Sequence, residues 1–468
     1  MLGILYSLGI GRPVDLGLSN LYLTMSGTIT SKLALGYRHL KGIGFHPSTE
    51  DALPYYFSVA TDVCEKEKSF ILPLVFKERV EEFDNEVFEA EDVITYYEIN
   101  AQQGDIDSLV LLGSVYAQGG NGIPRDYHKS FQYLKQAAHS GSYQAMGLLG
   151  NMFWKGKGVE KDVQMALHYF REGSLHKDPV SLNGIGVMHH TGSGLKKDEK
   201  LALKYFQMAA DLEYTEAYYN LAMLFKEISP GLGFTKSLHY FREAGKKGHL
   251  LSYYELAKIY LLAGNNENAL TYFKAVAERS DFGLVLDEAF RRFEGNESNG
   301  ALIQYLVAAE YGFETAQWNS AMLLKHSGQE GSRSVVQLLR SAQQGNSFSY
   351  VLLGDIFYYG NESVKQNFYS AVLFYQLAEQ DDDPRAMYNL GYMHEHGQGL
   401  VKDEYLAKRY YIKCFMNDKD MRFPIAAILF KIELIQTWRH LRSTFDKQII
   451  ALLAALVLSL IVYFRNSR

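Results

Sequence analysis

The sequence predicts an all-α fold, an α-solenoid of helix–turn–helix repeats ending in a single C-terminal transmembrane helix. Three observations predict it. Four stretches, opening at Leu112-Gly113, Leu149-Gly150, Ile185-Gly186 and Leu390-Gly391, share one pattern with a period of about 36 residues in a chain of 468. An aspartate (Asp126, Asp162, Asp198, Asp403) follows each glycine by twelve or thirteen residues, and a bulky pair follows each aspartate by seven and eight (Tyr133-Leu134, Tyr169-Phe170, Tyr205-Phe206, Tyr410-Tyr411). Lastly, Ile449 to Phe464 is a run of sixteen residues without a charge. Self-similarity at such a period marks a stacked repeat array, and a long uncharged apolar run marks a bilayer span.

Each repeat reads as two helices, A and B, around a glycine turn. In the copy from Met188 to Ala210 the turn is Thr191-Gly192-Ser193-Gly194, where glycine ends helix A by taking positive φ. Asp198 stands at the N-cap of helix B, with Glu199 in its first turn. Ala202, Tyr205, Phe206, Ala209 and Ala210 then fall on one helical face. The small residues at Gly113, Gly150, Gly186 and Gly391 let paired helices approach. The bulky pair is expected to fill the space between neighbouring units, since a lone unit cannot bury its own apolar face.

In chain order, residues 1–60 read as repeats, with weaker copies opening at Leu2-Gly3 and Leu35-Gly36. Met1 to Tyr6 lacks a basic n-region and a small-residue cleavage site, so it reads as a repeat helix rather than a signal peptide. Residues 61–92 read as an acidic insertion loop, with eleven acidic and four basic side chains and an apolar strip at Phe70 to Phe76. Repeats resume over 93–420, with weaker copies at Leu221, Leu256 and Leu353, and decay over 281–341, where the glycine turn is missing. The array holds roughly ten or eleven units.

Residues 421–445 read as an amphipathic helix: Ile425, Ile428, Leu429, Ile432, Ile435, Trp438 and Leu441 keep helical spacing, and arginines flank Trp438. It suits either a cap on the last repeat or a bilayer surface or partner groove. The span 449–464 follows, then a tail, 465–468. Sixteen helical residues rise about 24 Å, nearest to the ~27 Å of an ER bilayer, and Lys447 and Arg465 can snorkel to lengthen the reach. Lysine and arginine flank both ends, so charge gives no orientation.

Composition narrows the function. A net charge of −6 and the lack of a polybasic stripe exclude a nucleic-acid binder. Two cysteines, Cys64 and Cys414, exclude a disulfide framework and read as buried free thiols. His394-Glu395-His396 lacks the spacing that puts two imidazoles on one helical face, so no metal is expected. The Gly-x-Gly turns follow helices, not strands, and are not phosphate loops. No nucleophile has a recognisable setting. The chain reads as a binding scaffold, not an enzyme, with no cofactor. Two glycosylation sequons, at Asn296 and Asn361, lean towards a luminal location.

The ordered motif L-G-x-x-Y, G-x-G, K-D, A-L-x-Y-F and A-A resembles the Sel-1-like repeat, a tetratricopeptide relative. Leu35 to Gly44, Ala301 to Ala309, Tyr388 to Glu395, Leu406 to Tyr411 and the terminal span resemble the Sel-1/Hrd-3 adaptors of ER-associated degradation. That resemblance implies luminal repeats, one C-terminal span in the ER membrane, and a Hrd-type membrane ubiquitin ligase as partner. It implies ER lectins and misfolded glycoproteins as further partners. It also places Ile425, Leu429, Ile432, Ile435 and Trp438 near the membrane against the ligase. A signal peptide and further N-terminal repeats, usual in that family, and the fibronectin type II module that some members carry, are not visible in this sequence. Self-association stays open, and a tail-anchored, cytosol-facing repeat scaffold is the alternative reading.

Overall fold

The computed structural model describes residues 2–69, 90–119, 123–228, 232–279, 283–327, 331–360 and 364–466. The chain forms two compact units, Met1–Asn319 and Ser320–Arg468. The first runs through α1 (Leu2–Leu8), α2 (Leu16–Ser26), α3 (Ile29–Lys41), α4 (Thr49–Ser69), α5 (Ala90–Gln102), α6 (Ile106–Gln118), α7 (Tyr127–His139), α8 (Tyr143–Lys155) and α9 (Val163–Leu175). It continues through α10 (Pro179–Thr191), α11 (Glu199–Asp211), α12 (Thr215–Ile228), α13 (Leu232–Lys246), α14 (Leu250–Leu262), α15 (Asn266–Ala277), α16 (Gly283–Glu294) and α17 (Ser298–Glu310). Helix α18 (Glu314–His326) leads into the second unit, which holds α19 (Ser332–Ala342), α20 (Ser347–Tyr359), α21 (Phe368–Glu379), α22 (Pro384–His396), α23 (Glu404–Asn417) and α24 (Arg422–Asn466). The fold is an all-α repeat solenoid.

Local chemistry starts and stops these helices. Asp126, Asp162, Asp198 and Asp403 are extended N-caps of α7, α9, α11 and α23, each accepting the N–H groups two and three residues on at 2.9–3.0 Å. In the second unit Asn367 performs the same task for α21. Gly192, at φ 73°, ends α10 and donates its N–H to the Met188 carbonyl, a left-handed position that a side chain would strain.

The A–B contact is built on glycine against a ring or a leucine. A Cβ on Gly113 would meet Leu134 at 2.5 Å, one on Gly150 would meet Phe170 at 2.6 Å, and one on Gly186 would meet Phe206 at 2.7 Å. Gly391 meets Tyr411 in the same way at 2.9 Å. The second member of each bulky pair thus lies against the glycine of its own helix A. The first member also stays within the repeat, stacking on the residue three after the glycine. The pairs Tyr116–Tyr133, Phe153–Tyr169, His189–Tyr205 and His394–Tyr410 stand 5.7–5.8 Å apart, within 14° of parallel. The second member reaches the next unit as well: a Cβ on Gly184 of α10 would meet Phe170 at 2.5 Å, and Phe206 shares a core with Ala217 and Leu221 of α12, so it is this member of the pair that fills the space between units. Gly186→Val is expected to destabilise the first unit by about 1–3 kcal/mol through overpacking, despite valine's better helix propensity. Phe206→Ala in the same chain should recover part of the loss in chemical denaturation, and additive losses would refute the contact's role.

The N-terminal helices do not continue the array into α5. Val59, Ala60, Val63 and Cys64 of α4 share one core with Ala269, Leu270, Phe273 and Val276 of α15, and Phe57 meets Phe273 edge-on at 5.2 Å. Helix α4 therefore runs to Ser69, so residues 61–69 of the expected acidic loop are helix, packed at Val63 and Cys64. The remainder, 70–89, including the Phe70–Phe76 strip, lies outside the described residues. Beside this core, Arg38 of α3 is fully buried and pairs with Glu310 of α17 at 2.7 Å, while donating to Ser19 at 2.8 Å and Asn20 at 2.6 Å. Ser7 of α1 also donates to Glu310, and Gln317 donates to Tyr37 at 2.9 Å. Repeat proteins ordinarily contact only sequence neighbours; here partners stand 272 residues apart. The decay of the pattern after residue 281 has a physical reason: its faces at Glu310, Gly312 and Gln317 meet α1 and α3, through polar contacts and a close approach of Gly312 to the Tyr37 ring, rather than a helix of the same hairpin.

Candidate partner-binding surface

The second unit ends in one uninterrupted helix. The expected amphipathic helix, 421–445, and the expected span, 449–464, are parts of α24, which runs from Arg422 to Asn466. This corrects their separation, and the reason is local: no glycine or proline follows Pro424 within the helix. Among the described residues no helix is long and apolar enough to cross a membrane. Several side chains of 449–464 lie outside that set, and the described ones at Leu452, Leu456, Val457 and Leu458 are exposed.

Helix α24 docks along the last repeat. Ile425 and Ile432 are buried with Met387, Ala407, Tyr411 and Cys414, while Ile428 and Leu429 pack against that cluster partly buried. Three ion pairs fix the register: Lys431–Glu395 and Lys408–Glu433 at 2.7 Å, and Arg439–Glu404 at 2.6 Å. Burial pushes the Glu395 carboxyl up. Hydrogen bonds from Lys431 and Tyr411 outweigh it and hold its pKa below the ordinary value. Burial and the nearby Asp418 push the Cys414 thiol up to about 11, so it stays an unreactive neutral thiol. Both cysteines are free and buried.

The docking divides the five candidate contact residues. Ile425 and Ile432 face the repeat and are not free to meet a partner, because the pocket between α22 and α23 is where an apolar side chain loses most water. Leu429 lies at the edge of that cluster. Ile435 is partly exposed and Trp438 is 67% exposed. A second apolar face escapes a reading of one stripe: Phe423, Phe430 and Leu434 are exposed at 86, 68 and 61% and share spacings of seven and four with Trp438. The available signal was that α24 is apolar on more than one side, which a helix facing only a protein core and water does not need.

The other singled-out residues have structural settings. His394 stacks on Tyr410 at 5.7 Å, His396 on Tyr392 at 4.1 Å, and Glu395 is held by Lys431 and Tyr411. Among the described residues no group of three or more His, Cys, Asp or Glu could hold a metal ion. Asn296 is exposed in the turn before α17, at φ 60°. Asn361 lies outside the described residues.

A repeating glycine–ring hairpin with aspartate caps and an apolar helix on its last repeat defines a Sel1-type solenoid, a binding scaffold. The Sel1 repeat matches residues 106–142, 144–178, 179–214, 215–249, 347–383 and 384–413. The chain is 31% identical over 503 aligned residues to protein sel-1 homolog 2 of Mus musculus, covering 100% of this chain and 73% of that protein. It is 34% identical over 167 residues to the ERAD-associated E3 ubiquitin-protein ligase component HRD3A of Arabidopsis thaliana, covering 32% of this chain and 24% of that protein. A crystal structure of an Escherichia coli protective antigen with an SLR fold aligns at 20% identity, over 92% of this chain and 86% of that one, with a TM-score of 0.29. The chain belongs to the Sel1-repeat family, as a relative of sel-1 homolog 2 and of the HRD3 ligase components, and is a non-enzymatic adaptor.

Proposed function

We propose that this chain is an adaptor subunit of a Hrd-type ubiquitin ligase complex in the ER membrane. Its repeats lie in the lumen, where they gather misfolded glycoproteins or the lectins that carry them. The C-terminal part of α24, residues 449–464, crosses the bilayer, and the exposed face at Phe430, Leu434, Ile435 and Trp438 meets the ligase where the helix enters the membrane. The observation that carries this reading is the similarity to HRD3A, a protein named as a ligase component. Helix α24 adds a physical means. An apolar face held rigidly by burial and three ion pairs keeps its anchors ordered before binding, which lowers the entropic cost of association.

Topology is tested by glycosylation. Expressed in cells, the chain is expected to shift on endoglycosidase H treatment, and Asn296→Gln with Asn361→Gln should abolish the shift. Protease added to intact microsomes should leave the repeats intact. Digestion of the repeats together with an absent shift would put the array in the cytosol and leave the tail-anchored scaffold as the answer. The ligase role is tested separately, by co-purification with a Hrd-type ligase from detergent-solubilised membranes; failure to recover the ligase even after cross-linking sinks it.

A further inference from the structure

We propose that a cationic groove between α11 and α13 docks an acidic, extended peptide segment of a partner protein, with an aromatic or aliphatic side chain seated on the groove floor. The groove has a volume of about 870 Å³. Lys200 and Lys204 line one wall, from α11, and Lys236 lines the other, from α13. Phe225 and Tyr240 form the floor as a parallel stack, 5.6 Å apart and 2° from coplanar orientation. The Lys236 ammonium stands 5.3 Å from the Phe225 ring centroid, so the floor is aromatic and its rim positive.

The charge is specific to this repeat. Lys200 and Lys204 stand two and six residues after the capping Asp198. At the same two places the other clear copies carry His128 and Gln132, Gln164 and His168, or Tyr405 and Arg409, so only this copy of the four has two cations there. Some lysines elsewhere on the solenoid are neutralised across repeats, Lys226 by Glu255 at 2.6 Å and Lys413 by Glu379 at 2.5 Å. Among the described residues no carboxylate pairs with Lys200, Lys204 or Lys236. Asp211 accepts from Gln207 at 2.9 Å, while Gln207 accepts from the Tyr240 hydroxyl at 3.2 Å. The groove thus presents three uncompensated ammonium groups around an apolar floor on a protein whose net charge is −6.

That combination selects the occupant. Complementary charge steers encounter and selects against basic partners, and a buried aromatic or aliphatic anchor supplies most of the affinity in a peptide groove. A nucleic-acid strand is the poorer fit, because three cations release few counterions and the surrounding chain is acidic. The groove lies on α11–α13 in the first unit, away from α24 in sequence and function, so its test does not depend on the membrane reading.

The test uses the full-length chain in detergent and a fluorescein-labelled nonapeptide of glutamates with one central phenylalanine, read by fluorescence anisotropy. Saturable binding is expected that weakens with salt, and on the order of tenfold on Lys200→Glu with Lys204→Glu, since reversed charges repel the same ligand. Lys236→Gln should weaken it less. A peptide with alanine in place of the phenylalanine should bind more weakly, and one with lysines in place of glutamates should not bind. All three lysines are on the groove rim, so the helical circular dichroism of the variants should match the parent. No saturable binding by the parent, equal binding by the charge-reversed variant, or tighter binding of an oligothymidylate than of the acidic peptide would each overturn the proposal.

Discussion

Glu310→Ala is expected to lower the stability of the Met1–Asn319 unit by about 3–5 kcal/mol, the range for leaving a buried charge without its partner. Arg38 and Glu310 are 0 and 2% exposed, so neither can recover water when the other is removed. Ser19 and Asn20 still accept from the Arg38 guanidinium, but they carry no charge to offset it. Replacing both members, Arg38→Met with Glu310→Met, is expected to recover most of the loss, because a buried ion pair gains little over well-packed apolar groups. The measurement is urea denaturation of the full chain in detergent, with hydrogen exchange to locate the change. Exchange in α1 to α4 should accelerate first, since these helices meet α15 and α17 through this network and the adjoining apolar core. If the single variant matches the parent, α1–α4 do not dock as described.

The second large effect separates packing from association on α24. Ile425→Ala with Ile432→Ala is expected to cost about 2–5 kcal/mol for each fully buried isoleucine removed, read as a lowered unfolding midpoint of the second unit. Phe430→Ser with Trp438→Ser should leave that midpoint nearly unchanged, because both side chains are mainly exposed. The same pair is expected to reduce co-purification with a Hrd-type ligase by at least about tenfold, as for aromatic anchors at the centre of an interface. Equal recovery of the ligase with this variant would remove the exposed face of α24 from the interface, and an unchanged midpoint in the isoleucine variant would contradict the docked helix.

Much of the repeat was legible in the sequence because its contacts are short in sequence. Asp198 caps a helix that begins one residue later, and Gly186 faces Phe206 of the same hairpin. Such pairs recur at fixed offsets, so spacing alone exposes them. The two members of the bulky pair have different partners, which spacing does not show. Spacing marks which residues are buried together along one helix, not which helix lies opposite, and the ring at Tyr205 turned out to stack on His189 within its own repeat. On α24, helical spacing found Ile425 and Ile432 but could not say whether that face met a repeat or a partner. The face left over, at Phe430 and Trp438, became visible only once the docked one was known.

The sequence by itself determined the class of fold, the helix caps, the glycine turns and the period, because each is a matter of local backbone preference repeated many times. Only the tertiary structure decided that α4 lies along α15 and that Arg38 is buried against Glu310. Those contacts join residues hundreds of positions apart, and they are made by ordinary side chains with no periodic signature. Their energy comes from shape and from removing charge and apolar surface from water together, which no local pattern encodes.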